Sequence, residues 1–415
     1  MNAPAPRPPL MSLDEALGRL LGAVAPHGEA EAVDTFDALG RVLDGEVRSA
    51  LDVPPQDNTS MDGYALRCAD VPAEGTLLRV GQRIPAGQVG QPLQAGTAAR
   101  IFTGAQIPPG ADAVVPQEQC EAVAEGVRIG IVPQPGQWIR RRGEDVPRGA
   151  VVLPAGTRLT AAGLGLAASV GAARLQVARR PRVALFSTGD ELVMPGQVPP
   201  EQMRPGAIYN SNRYTLRGLV QALGCECRDL GIVPDQREAT RAALREAAQG
   251  NDLIVTSGGV SVGEEDHLRP SVQAEGHLEL WQVAMKPGKP LAFGAVRRPD
   301  GTSAWFVGLP GNPVSSLITF ALAVRPLLLK LQGATALAPQ ALPLRADFDW
   351  PKPDKRREFL RVRRNAEGGL ELFANQSSGV LTSTVWGDGL VDNPPGQAIR
   401  RGDTVRYLAF SELLA

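Results

Sequence analysis

The stretch Asp252-Leu-Ile-Val-Thr-Ser-Gly-Gly-Val-Ser-Val-Gly-Glu-Glu-Asp266 decides the fold of this chain. An apolar run of strand length leads into a loop of glycines and serines, and three acids follow. Small residues let backbone N–H groups close on phosphate oxygens, and nearby carboxylates can hold the magnesium that accompanies them. Trp305-Phe-Val-Gly-Leu-Pro-Gly-Asn-Pro-Val-Ser-Ser316 repeats the order of strand, loop and helix. Two such units in one sheet predict an anion site at the carboxyl ends of its strands.

Around these two loops, strand and helix patterns alternate from Arg182 to Leu331, which predicts an α/β domain. Asn212 is expected to cap the first helix of this region, and Pro313 suits a first helical position. The predicted strands are Val183–Ser187, Cys225–Val233, Leu253–Thr256, Leu280–Ala284, Leu291–Ala295 and Ala304–Val307, and the predicted helices are Asn212–Leu223, Arg237–Ala248 and Pro313–Leu331.

The remaining sequence predicts one helical domain and two β domains. Ser12-Leu-Asp-Glu15 is a capping box that opens a helix, and further helices are predicted over about Glu29–Leu39 and Thr160–Val170. Short apolar pieces broken by proline and glycine predict a small β domain between these helices and another at the carboxyl end. The predicted domains are a helical linker domain (10–53 and 147–180), an inserted β domain (54–146), the α/β domain (181–331) and a C-terminal β domain (332–415).

Composition narrows the class of protein. At 415 residues the chain needs several domains, and its net charge of −1 does not favour a nucleic acid or an anionic membrane as partner. Four cysteines without C-x-x-C spacing and three histidines indicate neither a disulfide framework nor a zinc site or Ser-His-Asp triad. No stretch reaches the roughly 18 apolar residues of a membrane span, and the N-terminus lacks an apolar signal core. These features predict a cytoplasmic protein.

Three acidic residues, Glu191, Asp235 and Asp266, each follow a predicted strand of the α/β domain. Taken singly, each is as typical of a helix cap or of the acidic first turn of a helix as of a functional site. Because the carboxyl ends of parallel strands meet at one edge of a sheet, all three are expected to lie together. Their convergence favours a site over independent turns.

Basic motifs accompany these acids. Lys286-Pro-Gly-Lys289 is either a solvated hairpin or an oxyanion-binding loop, and the neighbouring glycine loops favour the second interpretation. Arg140-Arg-Arg-Gly-Glu-Asp145 is by itself typical of a solvated charged turn. Asp57-Asn-Thr-Ser-Met-Asp-Gly-Tyr-Ala65 is by itself typical of an Asx turn.

Taken together, these blocks resemble the molybdopterin molybdenumtransferase (molybdenum insertase) family, to which the C-terminal domain of gephyrin is related. Eight motifs occur in the order of the family and span nearly the whole chain. They are Leu51-Asp-Val-Pro, Asp57-Asn-x-x-Met-Asp-Gly-Tyr-Ala65, Ile101-Phe-Thr-Gly-Ala, Arg140-Arg-Arg-Gly-Glu-Asp145, Phe186-Ser-Thr-Gly-Asp-Glu-Leu192, Thr256-Ser-Gly-Gly-Val-Ser-Val-Gly263, Lys286-Pro-Gly-Lys-Pro290 and Gly308-Leu-Pro-Gly-Asn-Pro-Val-Ser315.

The resemblance implies a helical linker domain interrupted by a β domain, a molybdopterin-binding α/β domain and a C-terminal β-barrel. It also implies a homodimer, in which the inserted domain of one subunit faces the α/β domain of the other. Such proteins insert molybdenum from molybdate into adenylylated molybdopterin and release AMP, assisted by Mg²⁺. Molybdopterin adenylyltransferase and apo-molybdoenzymes are then expected as transient partners.

The resemblance also implies roles for matching residues. The expected catalytic residues are Asp62, Thr103, Asp145, Glu191, Asp235, Asp266 and Lys286, of which Glu191, Asp235 and Asp266 are also the expected metal ligands. The expected substrate-binding residues are Arg140, Ser257, Gly258, Gly259, Ser261, Gly263, Lys289, Pro310 and Pro313. The chain departs from the family at Gln282, where a lysine is frequent, and at Ser377, where a glycine is common.

Two alternative functions stand beside this prediction. One is ATP-dependent adenylylation of molybdopterin by the related stand-alone α/β fold, and the other is non-catalytic scaffolding of the gephyrin kind. Residues 54–146 and 332–415 argue against the first, because the stand-alone fold lacks them. The complete set of charged site residues argues against the second.

Overall fold

The β patterns of the sequence form three six-stranded sheets and four two-stranded sheets within the described residues. The structure is a computed structural model that describes residues 10–259 and 267–414. Three of the residues singled out above, Ser261, Gly263 and Asp266, therefore lie outside the described residues.

The chain begins with a capped helix. Ser12 accepts a hydrogen bond from the backbone N–H of Glu15 at 3.1 Å, which confirms the predicted N-cap. The helix predicted over Glu29–Leu39 is wrong, because residues 30–34 are extended and pair antiparallel with residues 174–178. This distant strand supplies the backbone partners that a helix would have supplied locally. The first elements are α1 (Leu13–Ala23), β1 (Ala30–Asp34) and β2 (Val47–Arg48).

The inserted region is entirely β apart from short 3₁₀ turns. Its strands are β3 (Asn58–Thr59), β4 (Gly63–Leu66), β5 (Thr76–Ile84), β6 (Thr97–Ile101), β7 (Ala113–Pro116), β8 (Cys120–Val123), β9 (Gly126–Ile129) and β10 (Ile139–Arg140). Six of them form one sheet in the order β7-β4-β6-β5-β9-β8, and β3 pairs with β10 separately. Two apolar clusters of its own, built around Leu66 and Ile101, fill this unit.

The chain then returns to the linker unit through β11 (Val151–Leu153), α2 (Ala161–Ser169) and β12 (Arg174–Ala178). Strand β12 pairs with β1 and β11 pairs with β2, so the two linker segments lie together as the sequence predicts. Thr160 caps α2 through the backbone N–H of Gly163. Gly171 follows the helix in the left-handed conformation at φ +83°, which suits a helix end.

The central unit contains the predicted alternation of strands and helices. Its elements are β13 (Arg182–Thr188), β14 (Leu192–Val193), β15 (Ile208–Tyr209), α3 (Ser211–Ala222), β16 (Glu226–Val233), α4 (Arg237–Ala248), β17 (Leu253–Ser257), α5 (Leu268–Glu275), β18 (Gly276–Gln282), β19 (Met285–Lys286), β20 (Pro290–Arg297), β21 (Ser303–Leu309), α6 (Pro313–Thr319) and α7 (Arg325–Leu331).

The central sheet has the order β16-β13-β17-β21-β20-β18. Strands β16, β13, β17 and β21 are parallel, whereas β20 and β18 are antiparallel to their neighbours. The strand order reverses at β13, which lies between the next two parallel strands of the chain. In such sheets ligands bind outside the carboxyl ends of the strands at this reversal.

One long helix underlies the sheet. Residues 313–331 run through α6, a π-helical turn at Phe320–Val324 and α7. By length and hydropathy this helix is apolar enough to cross a membrane, but 94% of its most apolar window is buried inside the protein. Burial on all sides is what a core helix requires, so its composition follows from its position in the core.

The C-terminal unit is a closed barrel. Its elements are β22 (Leu342–Ala346), β23 (Arg357–Arg364), β24 (Gly369–Leu372), α8 (Thr382–Trp386), β25 (Gly389–Asn393), β26 (Thr404–Ala409) and α9 (Phe410–Leu413). Five strands follow the order β23-β24-β22-β26-β25, and the pairing of β25 with β23 closes the ring. Closure leaves no free edge among these strands.

The barrel is joined to the α/β unit by a shared core and by a strand. Phe359, Leu390, Leu408 and Leu413 of the barrel pack in the same apolar cluster as α1 and one face of the central sheet. Strand β19, which belongs to the α/β part of the sequence, pairs in parallel with β23 of the barrel. This pairing brings the lysine loop and the barrel to the same edge of the central sheet.

Candidate functional site

A cleft of about 960 Å³ opens at the carboxyl ends of the parallel strands. Its walls come from the loops after β13, β17 and β21, from the N-terminal ends of α3 and α6, from the lysine loop and from the barrel. The lining residues used below are Thr188, Glu191, Asn210, Asn212, Ser257, Gly258, Gly259, Lys286, Lys289, Pro310, Pro313, Ser315, Arg356, Gln376, Ser377 and Ser378.

The first glycine loop is shaped by close backbone approach. Gly258 and Gly259 have φ of +90° and +65°, conformations that L side chains rarely adopt. A Cβ on Gly258 would lie 2.9 Å from the carbonyl oxygen of Thr188, and one on Gly259 would lie 2.9 Å from its hydroxyl. Ser257, at the end of β17, is buried and lies 3.4 Å from Ser187 between their hydroxyl oxygens. Glycine is therefore needed at both positions for the loop to fold against β13.

The second loop leads from β21 into the long helix. Pro310 is buried and Pro313 occupies the first helical position, as the sequence predicts. The backbone N–H of Val314 donates to the carbonyl of Ser378 at 3.0 Å, so the barrel satisfies one free amide of this helix N-terminus. Pro313 has no N–H and Ser316 donates to Asn312, so the N–H of Ser315 is the first-turn amide without an acceptor among the described residues, and it suits an anion.

The N-terminus of α3 also faces the cleft. The predicted cap at Asn212 is wrong, because Asn210 is the N-cap and accepts from the backbone N–H of Arg213 at 3.1 Å. Asn212 instead donates from Nδ2 to the carbonyl of Gly311 at 2.7 Å and so ties α3 to the second loop. Asn210-Ser211-Asn212 offers three consecutive residues that can cap a helix, and only the tertiary contact decides among them.

Three cationic side chains, Lys286, Lys289 and Arg356, line the cleft. Lys286 Nζ lies 3.3 Å from Glu358 Oε1 and 3.6 Å from Asp354 Oδ2, both in the barrel. Arg356 is held by the same Asp354 through Nε and a terminal nitrogen, at 3.0 and 2.8 Å. Lys289 has no side-chain partner in the ranges 10–259 and 267–414. Lys289 is thus available to an incoming anion without breaking an ion pair to any described residue.

The loop Gln376–Ser378 forms the barrel wall of the cleft and is fixed by a buried arginine. Arg361 is almost fully buried, and its guanidinium donates to the carbonyl of Ser377 at 3.1 Å and to the hydroxyl of Ser383 at 3.2 Å. Gln376 exchanges side-chain hydrogen bonds with the backbone N–H and C=O of Arg361, at 2.9 and 3.0 Å. Burial lowers the pKa of Arg361 to about 10, which leaves it charged at neutral pH.

The two described acids of the predicted metal site differ in position, because Glu191 lines the cleft and Asp235 does not. Glu191 lines the cleft, and its carboxylate folds against the loop glycine Gly189. Asp235 follows β16, next to β13, and its backbone N–H lies 3.5 Å from Asp190 Oδ1, so these two loops meet at the sheet edge. No cluster of three metal-ligating side chains occurs in the described part of the chain. Glu191 and Asp235 fit a magnesium that is held by one or two carboxylates and mainly by substrate phosphates, rather than a closed protein site.

Asp62 and Thr103 form a second polar centre, on the inserted sheet. Asp62 Oδ1 accepts from the backbone N–H of Thr103 at 2.7 Å and from its hydroxyl at 2.8 Å. These two hydrogen bonds hold the pKa of the Asp62 carboxyl below its ordinary value, with a smaller contribution from the charge of Arg100. Neither Asp62 nor Thr103 lines the cleft of the same chain.

The charged residues of the arginine block differ in whether their side chains have partners. Arg141 pairs with Asp57 at 2.7 Å and Arg142 with Asp52 at 2.6 Å, so both guanidinium groups support the loop itself. Arg140 lies on β10 beside Asn58 of β3, and its exposed side chain has no partner among the described residues. Asp145 is exposed as well, and its backbone N–H donates to Val53 at 3.0 Å. Arg140 and Asp145 are also absent from the lining of the cleft.

Comparison with known proteins covers all four units of this fold. Three family models match consecutive regions: the MoeA N-terminal region (domain I and II) over residues 11–171, the probable molybdopterin binding domain over 184–330, and the MoeA C-terminal region (domain IV) over 343–410. A molybdopterin molybdenumtransferase of Haemophilus influenzae is 41% identical over 78% of this chain and 78% of its own length. The chain belongs to the molybdopterin molybdenumtransferase family.

Two further relatives extend the similarity over the full length. A molybdopterin molybdenumtransferase of a Nostoc species is 36% identical and covers 94% of this chain and 91% of its own. The crystal structure of a molybdopterin biosynthesis MoeA protein from Pyrococcus horikoshii superimposes with a TM-score of 0.82 at 28% identity, over 97% of this chain and 100% of that one. The family resemblance and the predicted fold class are thereby confirmed.

The structure brings only part of the predicted site together. Within the described residues, the cleft collects the following: Glu191, Ser257, Gly258, Gly259, Lys286, Lys289, Pro310 and Pro313. Asp235 and the predicted residues of the inserted unit do not line it, and the roles assigned to individual residues stay predictions. Sequence reasoning missed Arg356, Ser315 and Ser378 as lining residues. Ser315 lies within a quoted motif, whereas Arg356 lies in a charged run of the barrel that has no local motif.

Proposed function

We propose that this protein transfers molybdenum from molybdate to adenylylated molybdopterin and releases AMP. The observation that carries the proposal is the cleft, where Lys286, Lys289 and Arg356 face two glycine-led loops and the carboxylate of Glu191. Molybdate and the phosphates of the nucleotide are all anionic, so several fixed cations are needed to hold them side by side. Membership of the molybdopterin molybdenumtransferase family supports this assignment over other phosphate chemistry.

The proposed reaction forms molybdenum–sulfur bonds to the dithiolene of the substrate, releases oxide as water and cleaves the phosphoanhydride bond with water, so that AMP leaves. The protein's part is to hold the reactants. The backbone N–H groups of Gly259, in the first loop, and of Ser315, in the first turn of the helix that begins at Pro313, have no acceptor among the described residues and suit phosphate oxygens. Lys289 lacks a carboxylate partner within the described residues. It is therefore the cation best placed to bind whichever anion, molybdate or phosphate, the backbone amides do not hold.

Mg²⁺ is proposed as the accompanying cation, with Glu191 and Asp235 as the described residues that would hold it and Asp266 as the predicted third. When bound, the ion would neutralise phosphate charge and favour departure of AMP. Glu191 itself is exposed at the cleft wall, so its carboxylate is accessible to an ion that arrives with the substrate. This arrangement agrees with the preference of Mg²⁺ for a few carboxylates plus phosphate oxygens.

Asp62, Thr103, Arg140 and Asp145 are proposed to complete the cleft of a second subunit in a homodimer. Their absence from the cleft of their own chain motivates this proposal, together with the unpaired guanidinium of Arg140 within the described residues. In such a dimer, each site takes the inserted unit from one subunit and the α/β unit from the other.

Release of AMP tests the function. We expect the purified protein to release AMP from adenylylated molybdopterin when molybdate and Mg²⁺ are present, and to yield a product that activates an apo-molybdoenzyme. Lys289→Met should lower this rate at least tenfold, whereas Lys352→Met, an exposed lysine outside the lining of the cleft, should not change it. AMP release no faster than in the absence of protein would refute the proposal.

Complementation tests the shared site. Asp62→Ala and Lys289→Met are each expected to lose most activity as homodimers. After the two variants exchange subunits, half of the dimers are mixed and each mixed dimer regains one intact site, so about a quarter of wild-type activity should return. If the mixture is no more active than the separate variants, the residues act within one chain or not at all.

A further inference from the structure

Glu358 is a buried carboxylate of the barrel that the predicted site did not include. It lies on β23, its side chain is 1% exposed, and it reaches Lys286 at the cleft wall. The two residues are register partners in the parallel pairing of β19 with β23, and Arg357 N–H also donates to the carbonyl of Ala284 at 2.9 Å. The backbone thus fixes the two side chains next to each other.

The two oxygens of Glu358 have different partners. Oε2 accepts from Trp350 Nε1 at 2.8 Å and from the backbone N–H of Asp354 at 3.1 Å, and Asn393 Nδ2 lies 3.5 Å away. Oε1 is 3.3 Å from Lys286 Nζ. Because Oε2 is occupied by barrel donors, the carboxylate cannot rotate away from the lysine without leaving those donors unsatisfied in a buried place.

We propose that Glu358 is a positioning residue that fixes the ammonium group of Lys286 at the cleft wall and so sets the position of the lysine loop for the anionic substrate. The effect of Glu358 on turnover rests on the proposed function, whereas the contact between Glu358 and Lys286 does not. A lysine side chain has four rotatable bonds, and a fixed partner removes much of that freedom before substrate binds. Lys289, three residues on, has no such partner within the described residues.

Charge balance supports the same role. Lys286 and Arg356 face the cleft, while Asp354 and Glu358 compensate them from the barrel side. A buried carboxylate is costly unless it is paired and hydrogen-bonded, so Glu358 needs the charge of Lys286, whose own side chain is 39% exposed. The Lys286–Glu358 pair therefore links the position of the barrel to the geometry of the cleft.

Glu358→Gln tests this inference with little change of shape. The amide oxygen of the introduced side chain has to serve Trp350 and Asp354, so its NH₂ group faces Lys286, which also has only donors. Lys286 then loses its hydrogen-bond acceptor and keeps only the longer contact with Asp354, at 3.6 Å, while the barrel keeps its packing. Glu371→Gln is the matched control, because Glu371 is a half-exposed carboxylate of the same barrel that pairs with Arg363, and the cleft lining does not include it.

The first measurement is competitive acetylation of the two lysines, read by mass spectrometry with Lys289 as internal reference. We expect the ratio of Lys286 to Lys289 labelling to rise at least threefold in Glu358→Gln and to stay unchanged in Glu371→Gln. An unchanged ratio in folded Glu358→Gln would overturn the inference. This readout needs no turnover, so it decides the point even if the proposed reaction fails.

The second measurement is a double-mutant cycle in the AMP-release assay. Glu358→Gln is expected to lower kcat at least tenfold in the wild-type background and less than twofold in a Lys286→Met background, because its effect passes through the lysine. Equal losses in both backgrounds would show a general structural effect and would overturn the positioning role. A wild-type protein without activity would refute the proposed function and leave the labelling result standing.

Discussion

Asp62 receives both of its side-chain hydrogen bonds from one residue, Thr103, and this makes its ionisation sensitive to a single substitution. Thr103→Val removes the hydroxyl donor and keeps the backbone donor, so the pKa of Asp62 should rise part of the way towards its ordinary value of 3.8. Thr76→Val, in the same unit but bonded to Ala73, should leave the pKa of Asp62 unchanged. A ¹³C NMR titration of the Asp62 carboxyl measures both variants, and an unshifted pKa in Thr103→Val would contradict the prediction.

The sign of the pH dependence follows from the same contact. The folded-state pKa of Asp62 is depressed, so its hydrogen bonds stabilise the folded protein above the ordinary carboxyl pKa of 3.8. This contribution is lost as the pH falls through the depressed pKa. At neutral pH Asp62 is therefore ionised, which suits a contact with a cation or an ordered water.

Trp138 shows strain at the scale of one residue. It has φ of +58°, a left-handed conformation that costs a bulky residue roughly 1–2 kcal/mol. The residue is 41% exposed, so replacing it sacrifices only part of a full burial. Trp138→Asn relieves this strain but gives up ring burial of about 2–4 kcal/mol, so it should lower the free energy of unfolding by about 1–2 kcal/mol. Trp138→Ala gives up the same burial and keeps the strain, so it should be less stable than Trp138→Asn by about 1 kcal/mol. Denaturant unfolding measures both, and equal stabilities of the two variants would contradict the strain at this residue.

At the scale of elements, Gly63 explains why a glycine follows Asp62 in the motif. Strands β4 and β7 approach so closely that a Cβ on Gly63 would lie 2.0 Å from the carbonyl oxygen of Val115. Gly63→Ala should therefore cost about 1–3 kcal/mol or more in unfolding free energy, through displaced backbone. Gly81→Ala is the control in the same sheet, since its Cβ would meet only the side chain of Thr97, at 3.6 Å. Equal stabilities of the two variants would contradict this interpretation of the strand spacing.

The elements that the sequence predicted are those with strong local signals. Helix α4 has the predicted bounds, Arg237–Ala248, because its apolar face repeats at helical spacing and it ends before Gly250. Strand β1 was mistaken for a helix because its partner lies about 140 residues away, beyond any local pattern. Strand β25, Gly389–Asn393, was missed because it begins with glycine and ends with two polar residues that are buried in the barrel.

At the scale of the whole molecule, the arrangement of cores predicts which parts unfold together. Phe359 of the barrel packs in the cluster that includes α1 and the central sheet, whereas Leu66 belongs to the separate core of the inserted unit. Phe359→Ala should cost about 3–5 kcal/mol and increase hydrogen exchange in the barrel and the α/β unit alike. Leu66→Ala should cost about 2–5 kcal/mol and increase exchange in the inserted unit only.

Hydrogen exchange followed by mass spectrometry checks both variants peptide by peptide. The informative peptides are those of β17, in the central sheet, of β26, in the barrel, and of β6, in the inserted sheet. Faster exchange confined to the barrel in Phe359→Ala would mean that the shared cluster does not couple the two units.

The residue types of the candidate site could be predicted from the sequence better than their arrangement in space. Glycine loops and the Lys286-Pro-Gly-Lys289 motif carry local signals, and the cleft does contain them. The pairing of β19 with β23 brings Arg356 to the cleft and Glu358 to Lys286, and no local pattern encodes this pairing. The separation of Asp62 from the cleft was likewise invisible in residue spacing, and it entered the prediction only through the family resemblance.

Because β19 pairs with β23, substitutions in the barrel far from the cleft are expected to affect residues that line the cleft. The lysine loop is hydrogen-bonded to the barrel, so a shift of the barrel against the central sheet would also move Lys286. A substitution on the outer surface of the barrel that changes only the orientation of the barrel against the central sheet should then change the affinity for substrate and leave the melting temperature unchanged. Such variants would act on the cleft from a distance, through the backbone pairing alone.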